Sequence, residues 1–265
     1  MSAHPLLRRL HAGFIALLYA FLLAPLIFVV LVSFNAGEVP TFPPTEWSMR
    51  WYGEALRNSN FMQGLATSAW LALAATVLTV PLGVAAAFGL ARSQWRGRAL
   101  VEAMFLSPLI VPGIVLGIAI LVAMAGAGIG DAWLRLVLGH MLVVLPYTIR
   151  TVLAALARMD PALEEAGRVF GANSAQVLWH VTLPQLRGAI TAGAVLSFIL
   201  SFDDVSVSLF LSDADTTTLP IAIMSYLQYN FDPSIAAISA VLIVATHAAA
   251  LLIERFFGLK KILQG

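Results

Sequence analysis

The chain contains no cysteine, and only 11% of its 265 residues are Asp, Glu, Lys or Arg. Without cysteine there is no disulfide framework, no thiolate metal site and no thiol nucleophile, and the redox compartment leaves no mark on the sequence. Soluble domains carry about 25% charged residues. The scarcity of charge here, beside 60% hydrophobic residues and a mean hydropathy of +0.90, excludes a water-soluble domain. Neither sign of charge dominates: 15 Lys and Arg face 14 Asp and Glu, a net charge of +1 that offers nucleic acid no basic surface. No G-x-x-x-x-G-K-[ST] phosphate loop occurs, so the chain does not bind ATP in the P-loop manner. The H-E-x-x-H and G-x-S-x-G patterns are missing too, and no His, carboxylate and nucleophile form a set, so no catalytic residue and no metal site is assigned. Internal repeats and low-complexity segments are also lacking.

What the chain has in quantity is long apolar runs. Six segments, at about 13–33, 65–91, 103–126, 132–157, 189–211 and 235–257, have the length of about 20 residues that a hydrocarbon core of roughly 30 Å requires. This predicts an all-α polytopic membrane protein, a single transmembrane domain over 1–265 with six spans and both termini on one side. The first run is longer than the 7–15 residues of a signal-peptide core and no small-x-small cleavage site follows it, so it reads as a retained helix. The basic residues Arg8, Arg9, Arg92, Arg96, Arg98, Arg150, Arg158, Arg168, Arg187, Arg255, Lys260 and Lys261 fall on one side, against Arg50, Arg57 and Arg135 on the other. The positive-inside rule makes the first set, and both termini, cytoplasmic. The first outer loop, about 34–62, carries Trp47, Trp51 and Tyr52 and reads as an interfacial cap. Pro25, Pro81, Pro108, Pro112 and Pro146 interrupt the spans. As a set they suggest a packed bundle around a pathway, although proline is also simply commoner in transmembrane helices.

The loop 158–188 reads RMDPALEEAGRVFGANSAQVLWHVTLPQLRG. Asp160 as N-cap, Pro161 at the first helical position and Gly171 as a stop predict a short helix over 161–170. Leu163, Ala166, Gly167 and Phe170, at i, i+3, i+4 and i+7, form its apolar face, with Gly167 as a notch; Glu164, Glu165 and Arg168 take the other side. Glu164 and Arg168 are spaced for an i,i+4 pair. A second short helix starts at Asn173 or Ser174 and ends before Leu183-Pro184. A knob of small residues with a projecting Phe170 suits a groove on a partner protein. An amphipathic helix lying in the headgroups is the bland alternative, against which stand Glu164 and Glu165 where such helices carry Lys or Arg.

This loop resembles the EAA motif of binding-protein-dependent ABC importer permeases: Glu165-Ala166-Gly167, three residues, Gly171, nine residues, then Val181, Thr182 and Leu183-Pro184. Gly167 stands where the family usually has alanine, at a helical cost of roughly 1 kcal/mol. The resemblance spans the chain, and SFDDVSVSLF (201–210), TTTLP (216–220) and FDPSIAA (231–237) bring it closest to the spermidine/putrescine permease class. It implies a type I ABC importer permease fold in the bacterial cytoplasmic (inner) membrane and a second, homologous permease as heterodimer partner. It also implies two ATPase subunits that use ATP and Mg, a periplasmic solute-binding protein, and no cofactor on this chain itself. Leu163, Glu164, Glu165, Ala166, Gly167, Phe170, Gly171, Leu183 and Pro184 are the implied ATPase-coupling residues.

Asp203 and Asp204 fall within the fifth predicted run, roughly 21 Å along a helix starting near 189. A mid-membrane Asp costs roughly 2.5–3.5 kcal/mol, so the pair is not expected to face lipid. Ser197, Ser201, Asp204 and Ser208, at i, i+4, i+7 and i+11, form a polar stripe with Asp203 and Ser206 adjacent, and the stripe is expected to line a translocation pathway with Asp204, helped by Asp203, as counter-charge to a cation. Two other roles fit: a cap for a short following helix if the span ends near Ser201, or an ion pair within the assembly. Tyr147, next to Pro146, is a further pathway candidate, although a Tyr packed between helices is more frequent. His140 and His247 read as histidines bonded to neighbouring helices rather than a proton relay. The segment 212–232 reads as a re-entrant or surface helix near the outer mouth. The substrate expected is a small cation, a polyamine first; aminoethylphosphonate or opine-like amino compounds, and an ion-coupled secondary transporter, are the alternatives.

Overall fold

The computed structural model describes residues 5–257, with side chains described over 11–253 and at Arg255; Lys260, Lys261 and the side chains of Arg8 and Arg9 lie outside the described residues. Among the described residues there is no strand ladder, only an isolated antiparallel bridge between Asn35 and Trp47. Five helices are long and apolar enough to cross a membrane: His11–Ser33, Ser59–Arg92, Ala132–Leu156, Ser174–Phe202 and Ser234–Ile253. A sixth crossing exists if the bent pair Arg98–Leu109 and Gly113–Gly126 counts as one.

The chain divides into two compact units, one of residues up to Met62 with Ile223–Ala245, the other of Gln63–Ala222 with the chain from Thr246 onward. In the first unit, helix α1 (Pro5–Ser33) leads into an outer loop closed by side chains. Buried Asn35 donates to the Thr41 carbonyl (3.1 Å) and accepts from Gly37 N–H (3.0 Å). Helix α2 (Arg50–Arg57) buries Trp51, whose indole N–H donates to the Gly37 carbonyl, while Tyr52 bonds Ser33. Trp51 is therefore a core residue of the loop and not an interfacial anchor; Trp47 is the exposed aromatic. The reason is local: an indole with a carbonyl within reach is satisfied inside the loop.

In the second unit, α3 (Ser59–Arg92) runs on from the first, and α4 (Arg98–Leu106) follows. The predicted third span breaks here. One 3-10 turn, Ser107–Leu109, ends α4; Pro112 takes an extended ψ of 132°, and α5 (Gly113–Gly126) leaves at 109° to the preceding segment. Prolines at 108 and 112 supply no N–H to a continuous ladder. The 14 residues of α5 rise only about 21 Å, short of a straight crossing. A Cβ on Gly113 would lie 2.7 Å from Ser206 Cβ, and one on Gly117 would lie 3.0 Å from the Ser206 carbonyl, so glycine lets α5 press against the 206–210 segment.

Helix α6 (Ala132–Leu156) starts at Asp131, whose carboxylate accepts from Leu134 N–H. Its main partner is α9 (Leu183–Phe202), which approaches closely at Gly193, where a Cβ would meet Thr151 Oγ1 at 2.9 Å. Between them in sequence lie α7 (Pro161–Val169) and α8 (Ser174–Val177). Helix α8 does not stop before Leu183-Pro184 as predicted. It passes through a π turn, Leu178–Thr182, with Leu183 N–H donating to the Leu178 carbonyl, and continues as α9. The wider turn accommodates the ring of Pro184, which could not follow an ordinary helical turn without a clash. The fifth span is thus Ser174–Phe202, displaced from the predicted 189–211.

Beyond Phe202 the chain unwinds, re-forms one turn as α10 (Ser208–Leu211) and reaches α11 (Leu219–Leu227). The first turn of α11 is not on the surface: Leu219 to Ala222 are buried, Leu219 N–H donates to Ser68 Oγ, and Gly64 abuts Leu219. Helix α12 (Ser234–Phe257) is the last element among the described residues.

Candidate functional site

The short helix α7 forms as its caps dictate. Asp160 Oδ1 accepts from Ala162 N–H (3.0 Å), and Pro161 opens the helix. At the other end Gly171 takes φ +87°, its N–H donating to the Arg168 carbonyl while Ala172 N–H donates to that of Gly167, the paired bonds of a Schellman stop. Asn173 and Gln176 then form a reciprocal capping box that starts α8.

The faces of α7 differ from the predicted wheel. Phe170 is 90% exposed and its neighbour Val169 84%, with Leu163, Glu165 and Ala166 also exposed. Glu164, assigned to the outer polar side, points inward with its side chain 13% exposed. Its Oε1 accepts from Arg92 Nη2 at 2.6 Å and Thr182 Oγ1 at 2.6 Å, and Arg168 Nη2 lies 3.5 Å from Oε2, the i,i+4 pair. Gly167 is no outward notch either: a Cβ there would lie 3.4 Å from Val177 and 3.5 Å from Val181. The glycine is filled by the chain's own α8 and π turn. Val169 escaped the sequence reading because the helix ends there, so Phe170 leaves the helical wheel and both side chains project together. Arg92 was out of reach, lying 72 residues from Glu164. Exposed Trp179 on the π turn carried no periodic signal. Of the remaining motif residues, Leu183 is part-buried and Pro184 exposed where α9 begins.

At the far end of α9, the predicted stripe takes another form. The helix stops at Phe202, so Asp203 and Asp204 lie beyond it, and Ser197, Ser201 and Ser208 do not share one helical row with Asp204. All three serines are buried against α6. Ser197 bonds Thr148 (3.1 Å), and His140 spans the other two, Nδ1 to Ser201 Oγ at 2.8 Å and Nε2 to Ser208 Oγ at 3.0 Å. His140 is thus held by neighbouring segments, as a lone intramembrane histidine was expected to be. Asp204 Oδ2 accepts from Val207 N–H (3.0 Å) and Ser208 N–H (2.8 Å), the capping role weighed as an alternative, and stands 3.9 Å from His140 Nε2. The cluster is no Ser-His-Asp triad: Asp204 and Ser208 share one ring nitrogen, and Ser208 is sealed from any substrate. Asp203 is exposed, and Tyr147 on α6 is part-buried. Among the described residues no group of His, Asp and Glu is placed to hold a metal ion.

Comparison with known proteins agrees with this layout. Residues 79–259 match the family described as binding-protein-dependent transport system inner membrane component. The chain is 31% identical over 234 residues to the putrescine transport system permease protein PotI of Escherichia coli (strain K12), covering 86% of this chain and 83% of that one. It is 30% identical over 244 residues to the spermidine/putrescine transport system permease protein PotC of Haemophilus influenzae, covering 92% and 94%. In fold it is similar to a chain of a bacterial ABC transporter involved in import of the acidic polysaccharide alginate, with a TM-score of 0.73 and 17% identity over 97% of this chain and 99% of that one. A chain of the MetNI methionine ABC transporter is also similar, with a TM-score of 0.59 and 18% identity over 79% and 96%. The chain therefore belongs to the family of inner-membrane components of binding-protein-dependent transport systems, as a multi-pass, non-catalytic permease subunit of an ABC importer.

Proposed function

We propose that this permease imports a small cationic solute, a polyamine of the putrescine and spermidine kind, driven by ATPase subunits that dock on α7. The observation carrying the docking is the exposed pair Val169 and Phe170 at the end of a doubly capped helix whose inner face is already fixed to the chain. Burying Phe170 in a groove contributes about 1.5–3 kcal/mol. The ATPases, with bound ATP and Mg, sit on the cytoplasmic side with α7, a second permease completes the pathway, and a periplasmic binding protein delivers the solute. The relatives named for putrescine and spermidine transport support the substrate class.

Asp203 supplies the counter-charge. Asp204 is engaged by two backbone N–H groups, whereas Asp203 beside it is exposed at the end of α9, where a carboxylate attracts ammonium groups and repels anions. Tyr147 joins it on the pathway, and the buried serines hold that wall to α6. The test is uptake of labelled putrescine into proteoliposomes holding the chain with its partner permease, ATPases and binding protein. ATP-dependent, saturable uptake is expected. Uptake driven by an ion gradient without ATP would instead favour a secondary transporter.

A further inference from the structure

Three elements meet at one carboxylate. Glu164, in the first turn of α7, receives Arg92 from the last residue of α3 and Thr182 from the π turn before α9. Both bonds are short and converge on the same oxygen, and Arg92 is further restrained with its guanidinium 5.1 Å over the Phe88 ring. Charge-assisted bonds of this length to a largely buried carboxylate are the strong class of hydrogen bond. Chain continuity ties α7 to α6 and α8, and Gly167 packs it against Val177 and Val181. The Glu164 junction ties it also to α3, which does not adjoin it in sequence. Thr182 lies in the π turn between α8 and α9, so the same carboxylate also holds the point where the helical ladder changes its register.

We infer that Glu164 and Arg92 are positioning residues forming a strut that carries displacement of α7 to α3, and that without it ATP hydrolysis is no longer matched by transport. This rests on the proposed docking of ATPases on α7 and deepens it. The strut lies behind the exposed knob, so its loss changes coupling and not docking. In the reconstituted transporter, Arg92→Gln is expected to co-purify the ATPase at wild-type yield while putrescine taken up per ATP hydrolysed falls about tenfold, within the usual range for coupling between sites.

The absence of native cysteine permits a rescue. An Arg92→Cys, Glu164→Cys double variant should show the same loss, and a bifunctional thiol crosslinker joining the two sites should restore uptake per ATP in the same preparation. Because that sample is its own control, a folding defect in either variant does not imitate recovery. An unchanged ratio in Arg92→Gln, or no recovery on crosslinking, overturns the strut. Loss of the ATPase from Arg92→Gln also overturns it, by making the junction part of the docking surface. Failure of the wild-type chain to retain an ATPase overturns the docking proposal itself.

Discussion

Asp203 and Asp204 are adjacent in sequence and identical in chemistry, yet their surroundings assign them different work. Asp204 satisfies two N–H groups that open the turn into α10; Asp203 is an exposed residue. Asp204→Ala should therefore cost about 1–2 kcal/mol, the worth of a cap, seen as a lower thermal unfolding midpoint in detergent. Asp203→Asn should leave that midpoint unchanged and raise the apparent KM for a polyamine about tenfold, the effect of roughly 1.4 kcal/mol of lost attraction. An unchanged KM would remove Asp203 from the pathway. His140 is a third case. Its removal strands Ser201 and Ser208 in a buried seam, so His140→Ala should destabilise by about 2–4 kcal/mol through unpaired hydroxyls and a cavity. Gly167 makes the opposite prediction. An alanine Cβ meets its nearest neighbour at 3.4 Å, an ordinary contact, so Gly167→Ala should stabilise by up to about 1 kcal/mol, and a lowered midpoint would show that the gap is tighter than the contact implies.

At the scale of elements, α7 could be read from sequence because its signals are local. Asp160, Pro161 and Gly171 each act on backbone within a few residues of themselves, and the structure keeps the boundary to within a residue. Long apolar runs were legible for the same reason: 132–157 became Ala132–Leu156 and 235–257 became Ser234–Phe257. The failures share a cause. Runs 103–126 and 189–211 are continuous in hydropathy but not in backbone, and the breaks at Val111-Pro112 and after Phe202 are held by contacts with each other across α5 and the 206–210 segment. Hydropathy counts residues suited to lipid and is blind to where the ladder stops. The inward turn of Glu164 was hidden likewise, because its partner comes from α3. The prediction at this scale concerns the helix end: replacing both Val169 and Phe170 with Ala should weaken ATPase binding about 10- to 100-fold, measured by titration of the solubilised chain, without changing its helical content.

For the whole molecule, much apolar surface is left open to its surroundings. Helix α1 is exposed along nearly all its described length, which lipid or a second permease can cover. The knob on α7 differs, since charged residues lie beside it, Arg158 and Asp160 before the helix and exposed Glu165 within it, so a protein groove is the better cover. The most direct test uses the cysteine-free background, with Phe170→Cys as the single thiol. Its rate of maleimide labelling is measured on the purified chain with and without the cognate ATPase subunits. The account predicts at least about a tenfold slower reaction when the ATPase is bound, since a docked side chain is withdrawn from solvent. A thiol that reacts equally fast in both states, while the ATPase is demonstrably bound, would contradict it.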